Sequence, residues 1–206
     1  MSFIPRLAAL LGTLLISASL WAADIDAQTY GYPLTNPFEA TIATTPPELR
    51  PKLPEDADIK QADYRVRLRP EREFQLPDNF WAVTKMSYRL AEQDGPAPLI
   101  FIIAGTGAHY SSGTPEYLKK LFYGAGYHVV QLSSPTSYDF MTSASRFATP
   151  GISRDDAEDM YRAMQAVRAQ HPRLQVTDYY LTGYSLGALH AAFVSQLDET
   201  LSLIHI

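Results

Sequence analysis

The 206-residue chain contains no cysteine, which excludes disulfide staples, thiolate metal sites, cysteine nucleophiles and lipoprotein anchoring together. It also lacks a surplus of positive charge. Seventeen Lys and Arg stand against 22 Asp and Glu, a net charge of −5, with no basic stripe to neutralise a phosphate backbone. No nucleic-acid partner is therefore expected. No internal period is present, which excludes a repeat array, and no G-x-x-x-x-G-K-[ST] loop occurs to cradle phosphates. What remains for chemistry is Ser, His, Asp, Glu, Tyr and backbone amides, and no metal or other cofactor is expected. With 46% hydrophobic residues, the length suits one globular domain with a sizeable core.

Residues 1–23 hold a single charge, Arg6, then an apolar run from Leu7 to Leu20 and the small residues Ala22 and Ala23. This is the pattern of an export signal. The 17 uncharged residues between Arg6 and Asp24 sit at the short limit for a bilayer-spanning helix, so an uncleaved anchor is the alternative. The expectation is a periplasmic or secreted domain with no stable membrane span after cleavage.

Ten of the fifteen prolines fall between Pro33 and Pro98, and each fixes φ and removes a donor, which disfavours long helices there. Residues 24–61 accordingly read as a Pro-rich extended arm. Tyr64, Val66 and Leu68 alternate with Arg65, Arg67 and Arg69, the period of a strand with one buried face, its arginines solvating an edge. A second strand is expected over residues 81–90, closed by the turn signal at Asp94-Gly95.

From Leu99 the chain becomes continuously apolar through Ala104, as in a strand covered on both faces of a mainly parallel sheet. Strands are expected over residues 127–132 and 176–182, with helices over 114–123 and 185–196 between and after them. A further helix starts at a capping box of Ser153 and Asp156, buries Ala157, Met160, Met164 and Val167, and stops before Pro172. Such alternation makes an α/β fold with a mainly parallel sheet flanked by helices. Ligands in these sheets bind at the carboxyl ends of the strands, here the loops of residues 105–113, 133–151 and 183–187.

The third of these loops is Gly183-Tyr184-Ser185-Leu186-Gly187, a G-x-S-x-G pattern between a strand and a helix. In such a turn the serine is lifted clear of the sheet and the glycines let the backbone approach closely. Ser185, at a helix N-terminus, also meets a partial positive charge that favours an alkoxide. The amide of Leu186 is positioned as one oxyanion donor. The loop Ala104-Gly105-Thr106-Gly107 follows the buried strand and offers a second donor, the backbone amide of Thr106. A dinucleotide fingerprint fails there, since its third glycine falls at Tyr110.

In the elbow at residues 183–187 and the glycine-bearing loop at 104–107, the chain resembles the α/β-hydrolase superfamily over roughly residues 64–197. The resemblance implies hydrolysis or transfer of an acyl group from esters, thioesters or amides, with Ser185 as nucleophile. It also implies a later Asp or Glu and then a His, yet only 21 residues follow Ser185. Asp198 and Glu199 lie about 20 Å along the nucleophile helix from its start, too far to serve. His190 projects away from Ser185, His128 and His171 read as structural, and His109 lies in a loop near the site. Residues 201–206, Leu-Ser-Leu-Ile-His-Ile, are what the transposase mosaic-end adapter CTGTCTCTTATACACATC encodes. The expectation is thus a partial hydrolase domain over residues 62–200, incomplete at its C-terminus, with an adapter-derived tail.

Within residues 133–151, Tyr138, Phe140, Met141 and Phe147 suit an apolar acyl pocket as well as they suit packing on the sheet. The substrate class is a small-molecule or lipid-like acyl compound. Two other functions share the scaffold: a non-catalytic envelope protein that binds a lipid or peptide, and an acyltransferase.

Overall fold

In a computed structural model of the chain, residues 33–43, 50–69, 84–147 and 149–201 are described. The expected export signal at residues 1–23, the start of the second expected strand at residues 81–83 and residues 202–206 lie outside them. The chain divides into two compact units, Met1–Arg50 and Pro51–Ile206. In the first, helix α1 (Pro37–Ile42) begins with proline at its opening position and is capped by Asn36, whose Oδ1 accepts the amides of Phe38 and Glu39 at 2.9 and 3.3 Å.

The second unit carries a five-stranded sheet. Its strands are β1 (Gln61–Val66), β2 (Met86–Ala91), β3 (Ala97–Ile103), β4 (His128–Leu132) and β5 (Val176–Gly183), in the order β1-β2-β4-β3-β5. β2 pairs antiparallel with β1 and β4, while β3 lies parallel to β4 and β5. Helix α2 (Gly113–Gly124) joins β3 to β4, α3 (Tyr138–Ser143) and α4 (Ser153–Gln170) join β4 to β5, and α5 (Leu186–Leu201) follows β5.

The period-two geometry of strands divides the core between two faces. Tyr88, Leu99, Phe101, Ile103, Val130 and Leu132 face α4 and α5, meeting Met160, Met164, Val167 and Val194. Ile100, Ile102 and Val129 face the other way, beside Leu118 and Phe122 of α2. β3 and β4 are buried on both faces, β3 as its apolar run from Leu99 requires and β4 with His128 and Gln131 buried alongside its valines.

Three expectations need correction. Ser153 does not cap α4. Ile152 holds the cap position and no side chain bonds there; Asp156 Oδ2 instead accepts the Gly151 amide at 2.9 Å, closing the turn before the helix. Arg69 does not solvate the sheet edge as Arg65 and Arg67 do. Its Nε donates to the Ala144 carbonyl at 3.0 Å, and its guanidinium lies 3.6 Å from the buried Asp159 carboxylate. Lastly, the loop of residues 133–151 includes the short helix α3, and Phe140 from it lies in the core while Tyr138 and Phe147 are exposed.

Candidate active site

β5 ends at Gly183, α5 begins at Leu186, and Ser185 joins them with φ = 54°, the one non-glycine residue at positive φ among those described. A side chain in the left-handed region costs energy that surrounding packing must hold in place. Two glycines provide that packing. A Cβ on Gly183 would overlap the Gly187 carbonyl, and a Cβ on Gly187 would overlap the carbonyl oxygen of Ile103 at the end of β3. The first turn of α5 is thus pressed against both strands that precede it, and Ser185 is left exposed at their carboxyl ends. Its hydroxyl has no hydrogen-bond partner among the described residues.

The glycine loop after β3 lies beside this elbow. A Cβ on Gly105 would stand 3.2 Å from Ser185 Cβ and 2.8 Å from the Tyr184 ring. Most amides of the loop are engaged. Ala104 donates to the Leu132 carbonyl at 3.1 Å, Ala108 to the Gly105 carbonyl at 2.9 Å, Gly107 to Thr136 Oγ1 at 2.7 Å and Tyr110 to Ser133 Oγ at 2.9 Å. The amides of Gly105 and Thr106 have no such partner among the described residues. In α5, the amides of Gly187 and Ala188 bond back to Tyr184 and Ser185, while that of Leu186 belongs to the unpaired first turn. Free donors therefore flank the serine from two loops, an arrangement suited to an oxyanion.

Among the described residues no base reaches the serine. His109 Nδ1 meets Ser111 Oγ at 2.8 Å and the Ser111 amide at 3.4 Å, and its Nε2 lies 3.8 Å from Asp139 Oδ2. Nδ1 is thus turned to its own loop and Nε2 toward α3. Asp139 is buried and accepts the hydroxyls of Ser133 and Ser137 at 3.1 and 2.7 Å. His190 is buried 3.6 Å from Asp156 of α4, and burial lowers its pKa below the ordinary histidine value. His128 accepts the Gln93 amide at Nδ1 and donates from Nε2 to Gln175; His171 lies 2.7 Å from the Tyr88 hydroxyl. Asp198 is taken up by the Tyr161 hydroxyl at 2.5 Å. Among the described residues no cluster of three potential ligands could hold a metal ion. Nor is any helix among them long and apolar enough to cross a membrane.

Sequence reasoning missed Thr136. It sits 29 residues from the amide it holds, and nothing local marks a loop threonine as an acceptor.

The chain has the α/β-hydrolase fold. It is similar to dienelactone hydrolase from Anabaena variabilis, with 13% identity over 69% of this chain and 59% of that one and a TM-score of 0.51. It is also similar to brefeldin A esterase, a bacterial homologue of human hormone sensitive lipase, with 14% identity over 81% of this chain and 42% of that one and a TM-score of 0.50. The chain thus spans about half the length of these proteins. No protein-family model and no curated protein matches it.

Proposed function

We propose that the chain carries the nucleophile of an exported serine hydrolase that cleaves ester, thioester or amide bonds of a small-molecule or lipid-like acyl substrate. The observation that carries this reading is Ser185, exposed at positive φ on a strand-to-helix elbow. In the proposed reaction Ser185 Oγ attacks the acyl carbon and gives up its proton to a base. The carbonyl electron pair moves onto oxygen, where the amides of Leu186 and Thr106 donate to the negative charge. Collapse expels the leaving group, which takes up that proton, and leaves an acyl-serine that water hydrolyses.

His109 and His190 are both turned to other partners, so the acid and base belong in this reading to a later part of a longer protein. The length of the similar structures supports that. Resequencing the gene across the codons for Glu199 to Ile206 tests it. The expected reading frame continues into further strands bearing an Asp or Glu and then a His. A stop codon directly after Ile206 would favour the non-catalytic envelope protein instead. For the reaction itself, the full-length gene product is expected to hydrolyse p-nitrophenyl butyrate and its Ser185→Ala variant to be inactive. Product analysis with an added acceptor alcohol separates hydrolysis from acyl transfer.

A further inference from the structure

We propose that Thr136 is a positioning residue for this site: by accepting the Gly107 N–H, its hydroxyl aims the Thr106 amide at the oxygen that becomes negative when Ser185 attacks. The inference rests on the nucleophile reading above. Gly107 has φ = 67°, and glycine populates positive and negative φ about equally, so its own preference does not hold the loop in one shape. An external anchor is needed, and the loop after β4 provides one. Thr136 Oγ1 accepts from Gly107 N at 2.7 Å. Ser134 holds that hydroxyl in turn, with Oγ 2.8 Å from Thr136 Oγ1 and accepting the Thr136 amide at 3.3 Å. The Ser134 amide donates to the Ala108 carbonyl at 3.0 Å, so the same short segment grips the glycine loop at two successive residues.

On its other side the loop is fixed by Gly105, packed against Tyr184 and Ser185. The Thr106 peptide therefore hangs between two fixed points, one on the elbow and one on Thr136. A donor contributes to transition-state stabilisation only when it is already aimed at the developing charge. In this role Thr136 acts through the orientation of that peptide. The Thr106 side chain is exposed and has no part in the argument.

The test compares wild type, Thr136→Val, Thr136→Ser and Ser185→Ala in the full-length gene product, reading kcat and KM for p-nitrophenyl butyrate and the melting temperature. Valine keeps the shape of threonine and removes the acceptor. It is expected to lower kcat about tenfold with KM within about twofold, because a misaimed donor weakens the transition state and leaves ground-state binding alone. Serine, which keeps the hydroxyl, is expected to restore kcat. A valine variant with the wild-type kcat beside an inactive Ser185→Ala would overturn the positioning role and leave the nucleophile standing. So would losses in kcat and KM together that serine does not repair, since those mark a merely structural residue. A Ser185→Ala variant with full activity, or a wild type without turnover, would sink the nucleophile reading and the positioning role with it. If the valine variant does not fold, Thr136→Ala against Thr136→Ser makes the same comparison.

Discussion

At the level of single residues, the site depends on atoms that are missing. Gly187 brings the α5 backbone against the Ile103 and Ala104 carbonyls, which lie at the buried end of β3 and just beyond it and cannot retreat. Gly187→Ala is expected to cost at least about 2 kcal/mol of stability, the overpacking penalty with backbone as the obstacle. Urea unfolding reads this as a lower midpoint at unchanged slope; an unchanged midpoint would mean the elbow yields where the packing says it cannot. The elbow itself was legible in sequence, because a local pattern of five residues specifies a local turn. The partners of Arg69, Asp139 and Thr136 were not. Arg69 reaches across 75 residues to the Ala144 carbonyl, and only the folded topology brings such groups together.

Among elements, α4 and α5 meet through an apolar seam that also holds two buried polar pairs, Tyr161 with Asp198 and His190 with Asp156. Burial lowers the His190 pKa, partly offset by the Asp156 charge, and His190 Nδ1 is buried without a hydrogen-bond partner among the described residues. A histidine whose folded pKa lies below its unfolded one binds protons more readily when unfolded. Its contribution to stability is therefore intact above the ordinary histidine value and is lost as pH falls from there toward the folded pKa. His171, whose pKa is also lowered by burial, acts in the same direction. Urea midpoints taken at about pH 7.5 and about pH 5.5, on either side of that value, are expected to fall further for wild type than for His190→Gln. Equal falls would place the acid sensitivity elsewhere. The heptad-like burial of Ala157, Met160, Met164 and Val167 in α4 followed directly from sequence periodicity. The start of the helix did not, since Ser153 and Asp156 offer the right residue types for a cap while Ile152 occupies its position.

Across the whole second unit, the two edges of the sheet differ in chemistry. β1 presents Asp63 and Arg65, charges that discourage pairing with another sheet. β5 forms the opposite edge among the described residues and exposes Thr177, Asp178 and Tyr180, a single charge beside a β-branched and an aromatic residue that favour strand addition. The 206-residue chain is therefore expected to self-associate. Sedimentation across an approximately tenfold concentration range should show the mean mass rising, and a constant monomer mass would show that the β5 edge is protected. The strand and helix alternation that defines the fold was readable because β3 holds an unbroken apolar run from Leu99 and the helices carry their start and stop residues. Strand order was not readable, as pairing partners are chosen by tertiary packing.

The central claim is that Ser185 is a nucleophile aimed by its elbow, and covalent capture tests it most directly. The full-length gene product is treated with a fluorophosphonate and digested, and the modified peptide is sequenced by mass spectrometry. The account predicts one adduct, on Ser185, and none on the Ser185→Ala variant. Equal labelling of both proteins, or an adduct on Ser111 or another serine, would contradict it.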